Sequence, residues 1–455
     1  MPCQKYDHPC LKKMPSAEPE LALLAMPRRR LLDSRKRPPS GDLLEEIDCG
    51  TEGPSVRLSG ASCPVGPSPV FRGLGRSASG HQLREGKVTV TIDKARGCLL
   101  GQAVGDALGA PIEGWSRGRI RRIYGEVRDY IEAAGRARLP GLYTDDTQQA
   151  LILADVLIEY RGFDPEGARR LYVELARPSP GLPRGAYRGT GGSFRAALER
   201  MAAASPGEST GVASAGNGAA MRIAPLGLWY AGDHAALQQA VIQASRQTHT
   251  DPRAIAAASA VAYLAAHLAT MPAQTADDAR AALRAAAAFA QETEAALCSP
   301  GHEPRPPRFS SALLILEPLW EAPPWDVLHA IVAEANRQQP SHPVGHPSDG
   351  FACTSVPMAI YLALHELSFE QVVVEAINLG GDADTVGAIV GALAGARWGA
   401  SAIPQRWLDG LANLEGIVAR ADALAGGRKG LGEWQDLPAT ERRFTLAQQR
   451  LREGW

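Results

Sequence analysis

Apolar residues recur with the period of an α-helix over most of this 455-residue chain, from about Val88 onward. One representative helical face is formed by Ala150, Leu151, Ala154, Leu157 and Ile158. The segment from Thr275 to Ala296 is dense in alanine without blocks of charge, which predicts a packed helix. β-Branched and polar residues alternate only from Lys87 to Ile92, so a sheet built from βα units has no support. The pattern therefore predicts an all-α fold.

The helical pattern is missing from both ends of the chain. The first 88 residues hold eleven of the 34 prolines and four of the seven cysteines, and they are predicted to form an extension of low order. This extension is interpreted as a solvated linker or as an overlong assignment of the start, with Met14 or Met26 as competing starts. The polar stretch 428–455 is predicted to be a C-terminal tail. One globular domain, residues 89–427, is expected between them.

The balance of charge excludes a strongly basic nucleic-acid-binding protein, since 48 basic and 49 acidic residues leave a formal net charge of −1. The basic run 28–30 also lacks the interleaved aromatic residues of a nucleic-acid patch. No apolar stretch is expected to reach the ~18–20 residues that cross a bilayer, and the best candidate, Val386 to Leu393, is followed by Arg397. The seven cysteines form no CxxC motif, which argues against a zinc site. We expect a soluble, cytoplasmic protein without membrane or nucleic-acid partners.

Three acidic clusters lie at the predicted ends of helices. Asp106 and Glu113 lie near the end of the first helix, and the segments Tyr143-Thr144-Asp145-Asp146-Thr147 and Asp382-Ala383-Asp384-Thr385 each directly precede a helix. Helix capping accounts for one or two such residues in each segment. Together, however, the two segments supply four carboxylates and two threonine hydroxyls, all hard oxygen ligands. If they converge, they predict two divalent cations about 3.5–4 Å apart.

Glycine spacing gives a reason for that convergence. Glycine occupies every fourth position at 97, 101, 105 and 109, and again at 387, 391, 395 and 399. Each series places a smooth stripe on one helical face, at a conformational cost of ~0.8–1.0 kcal/mol per glycine relative to alanine. We predict that these two helices pack against each other in the core, with their axes no farther apart than the 8–10 Å of ordinary helix packing.

The clusters belong to a longer series of motifs that resembles the ADP-ribosylglycohydrolase family from about Lys94 to Trp407. Six motifs stand in family order: Gly105-Asp106-Ala107-Leu108-Gly109 with Glu113, Tyr143-Thr144-Asp145-Asp146-Thr147, Gly189-Thr190-Gly191-Gly192, Gly216-Asn217-Gly218-Ala219-Ala220-Met221-Arg222, Thr248-His249, and Gly380-Gly381-Asp382-Ala383-Asp384-Thr385. The resemblance implies a compact, orthogonally packed helical bundle with a binuclear magnesium or manganese centre in an acidic cleft. It identifies the domain 89–427 as catalytic.

The same resemblance assigns roles to individual residues. The metal ligands are expected to be Thr144, Asp145, Asp146, Asp382, Asp384 and Thr385. Glu113 is expected on a loop at the reacting centre, and it is the first choice for proton transfer, with Asp146 and Asp384 as alternative bases. Residues expected to bind the substrate are Gly191, Gly192, Ser214, Gly216, Asn217, Gly218 and His249. The glycines and Ser214 are expected to line the diphosphate, and His249 to face the ligand pocket without acting as a base.

The expected activity is metal-dependent removal of ADP-ribose from mono-ADP-ribosylated protein side chains, with arginine favoured on family grounds. Its partners would be the modified protein and ADP-ribose. Three alternatives remain: a non-catalytic ADP-ribose-binding relative, an immunity protein that binds an ADP-ribosylating toxin through its N-terminal extension and reverses the modification, and a two-metal phosphohydrolase. Intact ligands argue against the first and the glycine-rich motifs against the last.

Overall fold

The computed structural model describes residues 89–132, 138–271, 275–298, 308–365, 367–426 and 436–453. Over these ranges the chain forms α-helices and three short 3-10 turns, with no strand. The helices α1 to α17 are Ile92–Gly109, Arg117–Tyr124, Asp145–Tyr160, Pro165–Ala176, Gly192–Ala203, Ala224–Trp229, His234–Arg246, Pro252–Thr270, Ala276–Ala296, Phe309–Leu314, Pro324–Gln338, Ala352–Leu364, Phe369–Asn378, Ala383–Trp398, Gln405–Gly410, Leu414–Gly426 and Leu437–Glu453. The predicted all-α fold and the alanine-rich helix are both confirmed.

The start of the first helix corrects one expectation. The segment from Lys87 to Ile92 reads as extended in the sequence, but Ile92 is already the first residue of α1, and residues 89–91 form no strand. The Thr91 side chain accepts a hydrogen bond from the Lys94 amide and so caps the helix. The alternating residues therefore lead into a helix cap. The predicted extension 1–88 lies outside the described residues and stays a prediction.

Helices α1 and α14 form the centre of the domain, and they touch backbone to backbone. A methyl group placed on Gly101 would lie 2.1 Å from the carbonyl oxygen of Gly391, and one on Gly105 would lie 1.9 Å from that of Gly387. The pairing of 97 with 395, 101 with 391 and 105 with 387 shows that the helices run antiparallel. The predicted packing of the two glycine stripes is thus confirmed. Gly399 differs from the other members, because it ends α14 with φ 85°.

One apolar helix corrects the expectation that no segment is long and apolar enough to span a membrane. Helix α8, Pro252–Thr270, is long and apolar enough to cross a bilayer by length and composition, with a mean hydropathy of 1.2. Its many alanines make this helix only moderately apolar, which is why Val386 to Leu393 was expected to be the best candidate instead. Since 78% of its apolar window is buried inside the protein, α8 has the burial of a core helix.

The C-terminal end of the chain is also more ordered than its polar composition indicates. Within the predicted tail 428–455, helix α17 (Leu437–Glu453) packs against α3 and α4. Its buried residues include Glu441, which is fully buried, and Thr445. The described part of this segment therefore belongs to the domain. Its polar sequence concealed the packing, because the side chains that it buries are themselves largely polar.

Candidate functional site

The two carboxylate-rich segments begin helices α3 and α14, but they do not cap them in the usual way. Thr144 is the N-cap residue of α3 and Asp382 that of α14, and neither side chain makes a capping hydrogen bond to a backbone amide of the helix it precedes. The capping interpretation that the sequence left open therefore does not account for these two side chains. The carboxylates of Asp145, Asp146 and Asp384 are nonetheless almost completely buried. Burying a carboxylate without a cation beside it is costly, so these acids are candidates for binding a cation.

Convergence of the two segments follows from the α1–α14 contact. Gly109 at the end of α1 packs against Ala383 at the start of α14, where an added methyl group would lie 2.2 Å from the Ala383 carbonyl oxygen. Burial, followed by the charges of Asp106, Asp145 and Asp382, raises the pKa of Asp146, so acids of the two segments lie close together. The structure thus brings the six predicted metal-binding residues into one cluster, which we call the acidic site: Thr144, Asp145, Asp146, Asp382, Asp384 and Thr385.

Asp106 organises the α3 side of the acidic site, a role that the sequence analysis did not assign. Its fully buried carboxylate accepts hydrogen bonds from the Thr144 amide (2.8 Å), the Thr147 amide (3.1 Å) and the Thr147 hydroxyl (2.6 Å). It therefore caps α3 from a different helix. The available signal was its place in the motif Gly105-Asp106, where a carboxylate follows a glycine that lies against α14.

Electrostatics in the acidic site favour a bound cation. Burial, followed by the charges of Asp106 and Glu113, raises the pKa of Asp145 to about 7. Burial and neighbouring carboxylates also hold the pKa values of Asp146 and Asp384 well above their usual range. In addition, Oδ1 of Asp146 is buried without a hydrogen-bond partner among the described residues. Such crowding of like charges is relieved either by protons or by metal ions.

The donor set fits a hard divalent cation. All six residues of the acidic site offer oxygen, the ligand that magnesium and manganese prefer. The Thr144 hydroxyl already lies 3.1 Å from Oδ2 of Asp146, and the Asn217 amide lies 2.7 Å from Oδ2 of Asp382. Within the described ranges, no three His, Cys, Asp or Glu side chains already surround a single point as metal ligands do. The coordination geometry therefore stays a prediction.

Glu113 lies at the edge of the acidic site and outside its ligand set. It follows the short turn that ends α1, and its side chain is 34% exposed. Arg138 approaches its carboxylate at 3.4 Å, and this arginine is itself 9% exposed. The charge of Glu113 acts on both Asp145 and Asp384. A half-exposed carboxyl beside buried acids has the position expected of a proton donor or acceptor.

Two of the predicted substrate-binding glycines, Gly191 and Gly192, border open space near the acidic site. Gly191 is the N-cap residue of α5 and Gly192 its first residue, and a methyl group added to either would meet nothing within 4 Å. The Ser214 hydroxyl accepts a hydrogen bond from the Gly216 amide (3.2 Å) and pairs with the Ser193 hydroxyl (2.8 Å). Small residues and free space let backbone amides approach an anionic ligand, as in phosphate-binding loops.

His249 lies beside the segment Ser214–Gly218 and takes part in a buried hydrogen-bond network. Its Nδ1 lies 2.7 Å from the Thr248 hydroxyl, which also accepts a hydrogen bond from Arg222. A methyl group added to Gly218 would lie 3.4 Å from Nε2 of the imidazole. Burial, reinforced by the Arg222 charge, lowers the pKa of His249 to about 3, so the ring is neutral near pH 7. A neutral, fixed imidazole suits ligand contact and not proton abstraction.

One segment of the site escaped the sequence analysis. The carbonyl of Ser348 accepts a hydrogen bond from the backbone amide of Asp382 (2.8 Å), and the carbonyl of Gly350 accepts one from the backbone amide of Asn217 (3.1 Å). This segment therefore ties the Asn217 loop to the α14 side of the acidic site. It contains no acidic pair and no glycine series, and it acts through two backbone carbonyls and the Ser348 hydroxyl, which donates to the Gly380 carbonyl. A lone serine gives no sequence signal for such a role.

Comparison with known proteins places this geometry in a family. A family model described as "ADP-ribosylglycohydrolase" matches residues 88–433. The solved chain described as "ADP-ribosylglycohydrolase-related protein complex" is 33% identical with a TM-score of 0.55, and the match covers 74% of this chain and 98% of that one. "ADP-ribosylarginine hydrolase Tri1" of Serratia proteamaculans is 28% identical over 73% of this chain and 79% of its own. "ADP-ribosyl-[dinitrogen reductase] glycohydrolase" of Rhodospirillum rubrum is 28% identical over 70% and 90%.

Proposed function

This chain belongs to the ADP-ribosylglycohydrolase family, and we propose that it is a metal-dependent hydrolase that removes ADP-ribose from mono-ADP-ribosylated protein side chains, with arginine favoured. The observation that carries the proposal is the acidic site itself, in which four aspartates and two threonines from two helices meet next to Glu113. The arginine preference is supported by the name of the Serratia relative.

The residues of the acidic site, Thr144, Asp145, Asp146, Asp382, Asp384 and Thr385, would hold two divalent cations, Mg²⁺ or Mn²⁺. When bound, these ions would supply positive charge to the crowded carboxylates and Lewis acidity toward oxygen ligands such as vicinal ribose hydroxyls. The Asn217 amide, which donates to Oδ2 of Asp382, fixes the orientation of one of the proposed ligands.

The reaction breaks the bond between the anomeric carbon of the ribose and the side-chain nitrogen of the modified arginine. The oxygen of a water molecule forms the new bond to that carbon, one proton of the water is lost to a base, and one proton is gained by the leaving nitrogen. Positive charge builds up on the sugar in the transition state, and the carboxylates of the acidic site face that charge. Glu113 is proposed to carry the proton, because it is the half-exposed carboxyl outside the ligand set.

Binding of the diphosphate is proposed for the loop that contains Gly191 and Gly192 and for the segment Ser214–Gly218. A Cβ atom at Gly191 or Gly192 would meet nothing within 4 Å, which leaves room for an anion to approach the backbone amides of that loop. The neutral His249 would contact the ligand from the second of these loops. Exclusion of water from this part of the site would strengthen each polar contact to the substrate.

The test is release of free ADP-ribose from ADP-ribosyl-arginine and ADP-ribosyl-serine substrates, with and without Mg²⁺ or Mn²⁺. We expect metal-dependent release, faster from arginine, and a loss of at least ~100-fold in kcat for Asp146→Asn and for Asp384→Asn. Glu113→Gln should lower kcat by a similar factor and leave metal affinity unchanged. Wild-type rates in both aspartate variants would contradict the proposed metal site, and release from neither substrate would favour a binding module.

A further inference from the structure

The C-terminal helix α17 sends a buried carboxylate to the back of the acidic site. Glu441 is fully buried, and its oxygens accept hydrogen bonds from the Tyr143 hydroxyl (2.5 Å), the Gln148 amide (2.8 Å) and the Arg188 guanidinium (2.6 Å). All of α17 lies beyond residue 433, where the family match ends. A fully satisfied, fully buried ion pair at this place calls for an explanation, because such pairs are weak contributors to stability.

The partners of Glu441 are direct neighbours of the two functional loops in the sequence. Tyr143 immediately precedes the metal-site residue Thr144, and Arg188 immediately precedes the loop that starts at Gly189. Glu441 therefore binds the residue directly before each segment, Tyr143 in one case and Arg188 in the other. Its effect on the acidic site is indirect, since it acts through Tyr143 and Arg188.

Arg188 joins the two loops by its own backbone and side chain. Its carbonyl accepts a hydrogen bond from the Asp145 amide (2.7 Å), and its Nε donates to the Tyr143 carbonyl (2.9 Å). Its amide donates to Oε1 of Gln148 (3.0 Å), and its Nη1 donates to the Thr445 hydroxyl of α17 (2.9 Å). The polar groups of Arg188 thus contact Tyr143, the start of α3 and α17, while its backbone continues into the glycine segment 189–192.

We propose that Glu441 is a positioning residue, which fixes Tyr143 and Arg188 so that the start of α3 (residues 144–146) and the glycine segment 189–192 keep one relative geometry. The inference rests on the function proposed above, because it assigns those two segments to metal and diphosphate binding. It follows that metal affinity and ADP-ribose affinity both depend on a helix that contributes no ligand. The carboxylate is suited to this task, since it can accept three hydrogen bonds at once while it neutralises Arg188.

The test uses Glu441→Gln in the full chain, with a matched control in the same helix. Glutamine keeps the size of the side chain and removes the charge opposite Arg188. Arg442→Gln is the control, because Arg442 anchors α17 to Glu174 of α4 through Oε1 (2.6 Å) and the carbonyl oxygen (2.8 Å), away from the acidic site. Binding of Mn²⁺ alone is followed by the electron paramagnetic resonance signal of free Mn²⁺. Binding of ADP-ribose is measured by calorimetry, and folding by urea denaturation.

We expect Glu441→Gln to weaken Mn²⁺ binding by roughly 10–100-fold, the range typical of groups that support metal ligands. ADP-ribose binding should weaken as well, whereas Arg442→Gln should lower stability and leave both affinities unchanged. If Glu441→Gln does not fold, Thr445→Val replaces it, since it removes the hydroxyl that accepts from Arg188 (2.9 Å) and donates to the Ala186 carbonyl (2.7 Å) while it keeps Glu441. A smaller loss of both affinities is then expected.

Two outcomes overturn the inference alone: a folded Glu441→Gln or Thr445→Val protein with wild-type Mn²⁺ affinity, or an equal loss in Arg442→Gln, which would assign the effect to general docking of α17. A wild-type protein that binds no Mn²⁺ would sink the proposed function and this inference together. The two failures are therefore distinguishable.

Discussion

The two halves of the acidic site are held in different ways. The α3 half, Thr144 to Asp146, is fixed by charged groups that come from distant parts of the chain, namely Asp106 and the pair Arg188–Glu441. The α14 half, Asp382 to Thr385, is fixed by neutral groups: the Asn217 amide, the Ser348 carbonyl and the backbone of α1. One half depends on electrostatics, and the other depends on close approach of backbones.

This difference shows how one site can bring four carboxylates together. If both halves relied on buried charges, the repulsion among the aspartates would add to the cost of burying their partners. A backbone contact is insensitive to charge and pH. The α14 half therefore gives the site a fixed frame, against which the charged α3 half is positioned.

The largest effect is expected when that frame is broken. Gly101→Ala places a methyl group 2.1 Å from the Gly391 carbonyl oxygen, and since the neighbouring atom is backbone, the helices must separate. We expect a loss of about 3 kcal/mol or more in the free energy of unfolding, measured by urea denaturation. Gly118→Ala is the control, because nothing lies within 4 Å of that helical glycine; it should be neutral or stabilising by up to ~1 kcal/mol. Equal stability of the two variants would contradict the backbone contact.

A smaller effect is expected when a neutral support of the α14 half is removed. Asn217→Ala deletes the amide that donates to Asp382 at 2.7 Å. Mn²⁺ affinity should fall by roughly 10–100-fold, with little change in the ionic-strength dependence of binding, because no charge is lost. In Glu441→Gln, which loses a charge, the dependence of Mn²⁺ affinity on ionic strength should change more than it does in Asn217→Ala. Identical salt dependence in the two variants would remove the distinction between the halves.

The last effect concerns pH and applies to the α3 half. Because the pKa of Asp145 is raised to about 7 in the folded protein against an ordinary value of 3.8, the folded state binds its proton more tightly. The stability of the metal-free protein should therefore fall as the pH rises from about 4 to 7. Melting temperatures measured across that range check the sign, and saturating Mn²⁺ should flatten the curve. A melting temperature that rises over this window without metal would contradict the crowding of acids.

The sequence was sufficient to predict those parts of the molecule that depend on local spacing. The glycine stripes predicted the α1–α14 contact, because helical geometry turns a four-residue repeat into one face. The two acid-rich segments were placed correctly at helix starts, because Thr and Asp directly before a run of helical periodicity mark the N-terminus of a helix. What could not be predicted is the support that comes from far along the chain. Glu441 lies 298 positions from Tyr143, and no local pattern links a glutamate in a polar helix to a loop at that distance.

The capping role of Asp106, and Ser348 altogether, were missed for two further reasons. A carboxylate that caps another helix looks the same in sequence as a surface acid, since capping is recognised only from the hydrogen bonds it accepts. A residue that acts through its carbonyl, as Ser348 does, leaves no trace in side-chain chemistry. The resemblance to a family compensates for such gaps only where its motifs extend, and α17 lies entirely outside the matched residues.

The glycine contact also has a consequence for synthesis of the protein on the ribosome. Gly101 and Gly391 are about 290 positions apart, so the partner of α1 is translated long after α1 itself. At ~5–20 residues per second, the glycine face of α1 stays uncovered for roughly 15–60 s. The nascent chain therefore cannot assemble its acidic site until α14 has emerged, and any product that terminates earlier lacks half of the carboxylates.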